Sequence, residues 1–456
     1  MMGQVDDTST HHVSQSATGP RTVPRPVPAM TPSSFTRRDF LQSTGGLAAG
    51  LAPLPFRGFH VGGSALLKVG LVGCGGRGTG AAAQALAADP GVVLWAMGDV
   101  APERIERSIA GLTAELTGQG ESTDRLQVPA DRRFVGLDCA RGVIDSGIDV
   151  VLLAEPPGFR PHSLRRAVER GLHVFCEKPV AVDPAGCRSI RESCEIARKK
   201  RKSIVSGLCY RYHDGRRAIM HEIHAGRIGD VVAMNANYIT NGLWLHPRKA
   251  EWSDVENMCR NWLYHTWLSG DLIAEQHIHS LDVMAWAMQD KYPVKALGIG
   301  GRQVRTREEY GHVYDHFSVI YEWENGVRGF SHARQHDGCK VDVSDHVFGT
   351  TGRADIFKHR ITGASAWRYQ GPDKNMYQNE HDALFAAIRK DEPIDNGDYM
   401  VNSTMMAVMG RMSAYTGQQV TWEQAWASKE DLWPKDLKFG PMPTAPVAMP
   451  GITKFV

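Results

Sequence analysis

Short apolar runs alternate with amphipathic stretches from residue 67 onward. The runs are rich in Val, Leu and Ile and end at glycine or polar residues, as strands buried on both faces do. They occupy residues 67–72, 92–97, 150–154, 174–176 and 204–207. Helical patterns lie between them, for example at residues 161–170 and 184–201. Strands that alternate with helices predict an α/β domain with a doubly wound parallel sheet.

The pattern changes after Tyr212, where the candidate strands become longer and stand closer together. They cover residues 231–238, 296–301, 317–323, 327–332, 347–349 and 354–357. Asn325-Gly326 separates two of these runs and is a strong hairpin signal, and Thr351-Gly352 marks a second tight turn. Strands joined by tight turns are antiparallel. We therefore predict a second, α+β domain with a mainly antiparallel open sheet and helices on one face.

A glycine-rich turn follows the first predicted strand. Gly73-Cys74-Gly75-Gly76-Arg77-Gly78 has G-x-G-x-x-G spacing, which supplies a tight turn, a close approach for a pyrophosphate, and close packing of helix on sheet. Asp99 ends the second predicted strand, where a carboxylate accepts hydrogen bonds from a ribose diol and repels a 2′-phosphate. This context predicts a nicotinamide dinucleotide site and favours NAD over NADP. A purely structural turn beside a surface aspartate is the alternative.

The first 64 residues differ in composition from the rest of the chain. Residues 1–33 are rich in Ser, Thr, Pro and His, which is typical of disorder. Thr36-Arg37-Arg38-Asp39-Phe40-Leu41, followed by small and apolar residues at 45–52, is typical of a twin-arginine export signal. Such a signal predicts a periplasmic or secreted protein that is exported folded, with its cofactor already loaded. A basic amphipathic first helix is the alternative.

These observations divide the chain into four parts. We assign residues 1–64 to the disordered leader and signal, 65–207 to a Rossmann domain that binds NAD, 208–425 to an α+β domain for substrate binding and oligomerisation, and 426–456 to a C-terminal tail.

Composition and charge narrow the classes of partner. A formal net charge of +2 over 456 residues creates no field that would recruit nucleic acid. No apolar run reaches the roughly 18 residues that span a bilayer, so we expect no membrane span. The eight cysteines contain no C-x-x-C pair and no metal-ligand spacing. We expect free thiols, mostly in the core, and no metal site.

Several motifs taken together resemble the Gfo/Idh/MocA oxidoreductases, the family of glucose-fructose oxidoreductase and inositol dehydrogenase. Besides the glycine turn, they are Ala154-Glu155-Pro156-Pro157 with His162, Cys176-Glu177-Lys178-Pro179, Gly226-Arg227-Ile228-Gly229, and the stretch from Gly270-Asp271 to Asp282. The resemblance covers most of residues 65–425. It implies cofactor binding by Gly73, Gly75, Gly76, Arg77, Gly78, Asp99, Glu155, Pro156, His162, Glu177, Lys178 and Pro179. It also implies a homodimer or homotetramer that assembles through the open face of the antiparallel sheet.

The same resemblance places the chemistry on Lys178, His279 and Glu275. The lysine of the Glu-Lys-Pro motif contacts the substrate hydroxyl in family members, and burial beside a positively charged ring would lower its pKa toward a working range. Glu275 and His279 are four residues apart, so on a helix they share one face. We expect His279 to take the hydroxyl proton while Lys178 polarises the hydroxyl, with the exchanged roles as the alternative.

Glu275 has several possible roles, because family members usually carry aspartate there. It would orient His279, bind a sugar hydroxyl, or only pack. An i,i+4 Glu–His pair also suits a metal ion, but no third ligand is evident in the sequence.

Candidate substrate contacts come from an aromatic segment at residues 261–270 and from nearby polar positions. Aromatic faces suit the C–H faces of sugars, although hydrophobic core or a subunit interface is the alternative for such residues. The candidates are Arg211, Asn241, Trp244, Trp262, Tyr264 and His277.

We therefore expect an exported NAD-dependent oxidoreductase that transfers hydride between the nicotinamide and a hydroxyl carbon of a sugar, sugar derivative or cyclitol. A tightly held cofactor suits the periplasm, which offers no obvious pool of free NAD. One alternative is a redox-neutral glycoside hydrolase or lyase that uses NAD for transient oxidation at C3. Another is a sugar-binding protein that keeps the fold without the activity.

Overall fold

The computed structural model describes residues 66–456. The predicted leader and twin-arginine signal lie outside the described residues. Within residues 66–456, no helix combines the length and apolar character needed to cross a membrane.

Six parallel strands form the first sheet. Their bounds are β1 Leu67–Val72, β2 Val92–Asp99, β3 Arg133–Val135, β4 Val150–Leu153, β5 His173–Cys176 and β6 Ile204–Ser206. The spatial order is β3-β2-β1-β4-β5-β6, with every neighbouring pair parallel. The order reverses between β1 and β4, so a crevice opens beyond their carboxyl ends, where doubly wound sheets bind ligands. The predicted parallel sheet is confirmed, with the short edge strand β3 added to it.

Five helices of this half connect the parallel strands. They are α1 Gly76–Ala88, α2 Pro102–Gly118, α3 Cys139–Asp145, α4 Arg160–Glu169 and α5 Pro184–Lys199. The face of α1 that packs on the sheet is made of small residues, among them Ala81, Ala82 and Ala85, which are all buried. Small side chains let this helix approach the strands closely. The first turn of the helix then faces the crevice.

The second half begins with α6 Asp214–His224 and builds a nine-stranded sheet. Its strands are β7 Val231–Thr240, β8 Lys295–Gly301, β9 His316–Glu322, β10 Arg328–Gln335, β11 Asp342–Gly349, β12 Gly352–Asp355, β13 Arg360–Gly363, β14 Trp367–Arg368 and β15 Val420–Thr421. The order is β14-β13-β12-β11-β7-β10-β9-β8-β15. Only the β7–β10 pair is parallel among the described strands of this sheet. Both predicted turns join antiparallel neighbours, β9 to β10 and β11 to β12.

The remaining helices cover one face of this sheet or return to the first half. They are α7 Asp254–Arg260, α8 Thr266–Ser269, α9 Leu272–Glu275, α10 Ile278–Ala287, α11 Met376–Lys390, α12 Gly397–Thr416 and α13 Trp422–Ala427. Helices α10 and α12 are buried almost all round, as central helices of a layered domain are. The opposite face of the sheet leaves Leu297, Ile299 and Ile320 exposed.

Helix α11 packs on the first half, although it falls in the part of the chain that we assigned to the second domain. Leu384 and Phe385 are fully buried in the same cluster as the side chains of β1 and β2. The chain also returns to β6, where the Ile204 amide donates to the Ile394 carbonyl at 2.8 Å. An amphipathic pattern predicts that a helix has one apolar face, but not which sheet that face covers. Residues 376–396 therefore pack on the first half, although they lie within the range 208–425 that we assigned to the second domain.

All eight cysteines are free, as expected, and seven of them are buried, with Cys339 exposed. Burial raises the pKa of Cys176 and Cys187, so these thiols behave as small core residues.

Candidate active site

A cavity of about 740 Å³ lies at the carboxyl ends of β1 and β4, between the two halves of the chain. Its lining includes eight of the residues that the sequence assigns to the cofactor: Gly73, Gly75, Gly76, Arg77, Gly78, Asp99, Glu155 and Pro156. The volume is typical of a small-molecule or cofactor site. The structure therefore brings the glycine turn, the end of β2 and the loop after β4 to one place.

The glycine turn fits a pyrophosphate. A Cβ on Gly78 would lie 1.8 Å from the Gly73 carbonyl oxygen, so only glycine allows α1 to approach β1 this closely. A Cβ on Gly75 or Gly76 would meet no atom within 4 Å, so this backbone faces open space. No side chain caps the first turn of α1, which leaves its amides free to receive an anion.

Asp99 stands at the end of β2, where the sequence predicts it, but its carboxylate is already partly engaged. Oδ2 accepts from the Cys74 amide at 2.8 Å, and Oδ1 accepts from the Ala101 amide at 3.0 Å. The guanidinium of Arg104 lies 4.0 Å from Oδ1. Burial raises the pKa of Asp99, and Arg104 opposes that effect. Each carboxylate oxygen still has capacity for one more donor, such as a ribose hydroxyl.

Arg77 lines the cavity, but its guanidinium is engaged in hydrogen bonds to three other side chains. It donates to Glu177 through Nε, to Gln84 at 2.8 Å through Nη1, and to Glu380 at 3.2 Å through Nη2. Glu380 belongs to α11, and burial beside Glu177 raises its pKa well above the usual range. Arg77 therefore anchors the glycine turn to α11, a link that the sequence does not reveal.

Aromatic residues of the second half close the other side of the cavity. Trp244, His246 and Trp262 line it together with Val100, Arg104 and Arg107. The Trp244 and His246 rings stack with centroids 4.7 Å apart, and the Trp244 and Trp262 rings lie 6.4 Å apart. Trp244 and Trp262 were expected to contact substrate. The structure instead places them over the end of the cavity that holds Asp99.

Two side chains fix the loop that carries this aromatic wall. Tyr264 donates from its hydroxyl to the carbonyls of Leu243 at 3.1 Å and Trp244 at 2.9 Å. The Asn261 amide exchanges two hydrogen bonds with the backbone of His246, at 2.8 and 3.0 Å. Tyr264, expected as a substrate contact, is buried and acts as a brace for the loop.

Lys178 follows β5 and reaches across to the second half. Its Nζ donates to the backbone carbonyl of Glu275 at 2.5 Å and to the Glu275 carboxylate at 2.9 Å. Burial alone would lower the pKa of Lys178, but the carboxylates of Glu275 and Glu177 hold it above 10.5. We expected burial beside a positively charged ring to lower this pKa, and the sequence pattern did not show that two carboxylates near the ammonium act in the opposite direction.

His279 is near enough to Lys178 for the lysine's charge to act on its imidazole, but Glu275 and His279 do not share one continuous helix. Glu275 ends α9 and His279 follows the start of α10, with a break at Gln276 and His277. The His279 ring stacks on Tyr210 with centroids 4.6 Å apart. Burial, and then the charges of Lys178 and Arg216, lower the pKa of His279 well below 6.5. The imidazole is therefore neutral, so one of its ring nitrogens carries a free lone pair.

Glu155 and Arg160 flank the loop after β4. The Glu155 carboxylate is buried and lines the cavity, with Ser163 and Arg160 beside it. Burial raises the pKa of Glu155 to about 7. The buried guanidinium of Arg160 donates to the carbonyls of Pro179, at 2.5 Å, and Glu155, at 2.6 Å. Arg160 thus ties the two loops together. Arg160 immediately precedes the helix predicted at residues 161–170, but from this region the sequence analysis selected His162.

Four other predicted site residues are either exposed or engaged with other partners. His162 is exposed and packs its ring against Trp433, with centroids 4.2 Å apart. Arg211 is committed to two carboxylates, Asp282 at 2.8 Å and Asp290 at 2.6 Å. His277 is fully buried with Nε2 at 2.6 Å from the Ser331 hydroxyl, and Asn241 is exposed after β7. The sequence identified these residue types but not the directions of their side chains.

Each half of the chain matches a model of a known protein family. A model described as an oxidoreductase family with an NAD-binding Rossmann fold matches residues 67–207, and the GFO/IDH/MocA C-terminal domain matches residues 217–355. Inositol 2-dehydrogenase of Burkholderia ambifaria is 26% identical over 292 residues, which cover 64% of this chain and 74% of that protein. The counterpart from Burkholderia cenocepacia is 27% identical over 268 residues, 58% of this chain and 65% of that protein.

Solved structures share the fold. Aldose-aldose oxidoreductase from Caulobacter crescentus, crystallised with glycerol, aligns with a TM-score of 0.59 at 19% identity and covers 78% of this chain and 99% of that one.

Proposed function

This chain belongs to the Gfo/Idh/MocA oxidoreductases, and on that premise we propose that it transfers hydride between NAD and a hydroxyl carbon of a sugar, sugar derivative or cyclitol. The observation that carries the proposal is the placing of two groups: Lys178, held by Glu275 at 2.9 Å, and the buried imidazole of His279, which stacks on Tyr210 and feels the charge of Lys178. A carbinol needs these two groups: one to polarise its oxygen and one to take its proton. The inositol and aldose substrates in the relatives' names suit the same chemistry.

A nicotinamide bound in the crevice would supply the oxidising centre and take up the hydride, while residues of this chain take the proton of the substrate hydroxyl. Lys178 uses its Nζ for two hydrogen bonds to Glu275, so a third proton remains for the substrate oxygen. As the C–H bond breaks, the O–H proton passes to the imidazole of His279 and the C–O single bond becomes a carbonyl. Glu275 positions Lys178 and keeps it charged throughout.

We also propose that the cofactor is NAD and that it is held tightly. The glycine turn, the free amides of α1 and Asp99 would hold the pyrophosphate and a ribose. Trp244, His246 and Trp262 cover the same cavity from the second half, so release of the cofactor requires movement of a loop braced by Tyr264 and Asn261. Retention of this kind suits export of a folded, loaded enzyme to the periplasm.

The uncovered face of the nine-stranded sheet supports assembly with a second copy of the chain. Leu297 pairs with Ile320 across β8 and β9, and Ile299 lies two residues along β8. All three are exposed, at 50%, 37% and 71% respectively. Apolar side chains clustered on one sheet face mark an interaction surface. We propose that this face forms the homodimer or homotetramer contact.

The decisive experiment is to denature the purified full chain, identify any released nucleotide by mass spectrometry, and then screen sugars, cyclitols and glycosides for reduction of the bound cofactor. We expect NAD in near-stoichiometric amount and a rise of reduced-nicotinamide absorbance with at least one polyol. Release of an aglycone without net reduction would favour the redox-neutral alternative. Absence of nucleotide, together with no absorbance change when NAD is added, would contradict the proposal.

A further inference from the structure

Two histidines converge on one carboxylate at the ends of β9 and β10, and none of the three residues is among those assigned to catalysis. Asp315 immediately precedes β9, His316 begins that strand, and His336 immediately follows β10. His316 Nδ1 lies 2.7 Å and His336 Nε2 lies 3.0 Å from the same oxygen, Asp315 Oδ1. The imidazole rings are nearly perpendicular, with centroids 5.9 Å apart and an angle of 86° between their planes.

The backbone orients this carboxylate in advance. Asp315 Oδ2 accepts hydrogen bonds from the amides of Gln303, Val304 and Arg305, at 2.7, 2.7 and 3.0 Å. These three amides occupy one oxygen and leave Oδ1 facing the histidines. The carboxyl is fully buried. A fixed carboxylate with one oriented oxygen left over is the environment that metal ligands need.

We propose that Asp315, His316 and His336 bind a divalent transition-metal ion of the zinc class. Two imidazole nitrogens and one carboxylate oxygen are a ligand set that Zn²⁺ accepts, with further positions left for water. The three atoms already lie within 4.8 Å of one another. Coordination needs both rings in the tautomer that frees Nδ1 of His316 and Nε2 of His336, and their protons then reside on the opposite ring nitrogens.

The proposed site is accessible to a metal ion from one side. The side chain of His316 is 41% exposed, whereas those of His336 and Asp315 are 12% and 0% exposed. Among residues 66–456, this is the one group of three or more His, Cys, Asp or Glu side chains with ligand atoms clustered in this way. The Glu275–His279 pair considered from the sequence is not part of such a group.

A metal here would brace the loops next to the active site. The His336 amide donates to the carbonyl of Thr240, the last residue before the loop that carries Trp244. Gln335, the preceding residue, donates to Gln276 at 3.1 Å, next to Glu275. The ion would thus join the segment 303–316 to the ends of β7 and β10. Its role in this position is structural, and the proposal does not depend on the proposed dehydrogenase activity.

The test is metal binding by the full chain, purified without an affinity tag and stripped with a chelator. Zn²⁺ affinity is measured by competition with a chromophoric chelator, and Co²⁺ is added separately for its visible absorption bands. We expect one more equivalent of Zn²⁺ in the wild type than in H316Q or H336Q, and at least a tenfold loss of affinity at this site in each variant. Zn²⁺ should also raise the Tm of the wild type but not of the variants.

His332→Gln is the matched control. His332 lies on β10, with its ring contacting the Ser318 hydroxyl at 3.0 Å, and it takes no part in the cluster. H332Q should bind the metal as the wild type does. Because His316 is substantially exposed, H316Q is not expected to disturb the core, and circular dichroism checks this. Equal Zn²⁺ binding by the wild type and both ligand variants, or an equal loss in H332Q, would overturn the proposal.

Discussion

Lys178 and Glu275 join the two halves of the protein, with Lys178 Nζ 2.9 Å from the Glu275 carboxylate and also bonded to the Glu275 backbone carbonyl. The lysine comes from the loop after β5 and the glutamate from the end of α9. This contact sets the charge of the lysine, because the nearby carboxylates outweigh the effect of its burial. In the proposed reaction, this charge lets Lys178 donate a hydrogen bond to the substrate while the neutral His279 accepts the proton.

Lys178→Ala should lower kcat/KM by at least about 10²-fold, because the substrate oxygen loses its cationic donor. Cofactor affinity should stay within about threefold, since Lys178 is not among the residues that line the cavity. Steady-state kinetics and titration of the apoprotein with NAD measure the two quantities. Glu192→Gln, a change at an exposed residue on α5, is the control. Retained turnover in K178A would refute the assignment.

The rate of the chemical step should not change with pH between 6.5 and 10.5, the ordinary pKa values of histidine and lysine. His279 must be neutral, and its lowered pKa satisfies this at every pH above 6.5. Lys178 must be charged, and its raised pKa satisfies this below 10.5. Single-turnover rates across this range give the measurement, because they report the chemical step directly. A bell-shaped profile with either limb inside the window would contradict these assignments.

Glu155 should make cofactor affinity depend on pH near neutrality. Its pKa is raised to about 7, so the carboxyl ionises as the pH rises through that value and adds a negative charge to a cavity that must hold a pyrophosphate. We expect NAD to bind about three- to tenfold more weakly at pH 8 than at pH 6, and Glu155→Gln to remove this difference. Glu106→Gln, at an exposed position on α2, is the control. A variant E155Q with an unchanged pH dependence would be inconsistent with this role.

Asp99 should set the preference for NAD over NADP. Asp99→Asn keeps an acceptor for the Cys74 or Ala101 amide but removes the charge that repels a 2′-phosphate. With Arg104 and Arg107 lining the same cavity, we expect the ratio of NAD to NADP affinity to fall about tenfold or more. Binding of each nucleotide to the apoprotein measures the ratio. An unchanged ratio would show that another group makes the selection.

Ile299→Lys should shift the oligomer toward monomer. The change places a charge in the centre of the apolar sheet face, next to Leu297 and Ile320, and its burial in a contact would be costly. Sedimentation velocity at several concentrations measures the distribution. Val304→Lys, at an exposed apolar residue outside the nine strands, should leave the oligomer unchanged. A wild type that sediments as a monomer would rule out this contact.

The fold was predictable wherever its signals are local. Buried strands such as β4 are continuous apolar runs, the β9–β10 hairpin turns at Asn325-Gly326, and the glycine turn has a fixed spacing. The sheet on which α11 packs was not predictable, because Leu384 and Phe385 show only that the helix has an apolar face. The contact between that face and the first sheet is a tertiary property.

The candidate site likewise contains residues that were predictable from the sequence and contacts that were not. Motif spacing identified the glycine turn, Asp99 and Lys178. It did not show that Glu275 keeps Lys178 protonated, that Arg160 clamps the loop beside Glu155, or that Trp244 covers the cofactor cavity. Each of these depends on how residues far apart in the chain are brought together, and side-chain direction is not encoded in any short window of sequence.

The return of α11 to the first sheet makes the two halves inseparable. The helix supplies Leu384 and Phe385 to the core beneath the glycine turn, and Glu380 holds Arg77 of that turn. A fragment that stops at residue 207 would leave that core open to water and the arginine without its distant anchor. Recombination between relatives at the junction of the halves would therefore exchange part of the nucleotide-binding module along with the substrate domain.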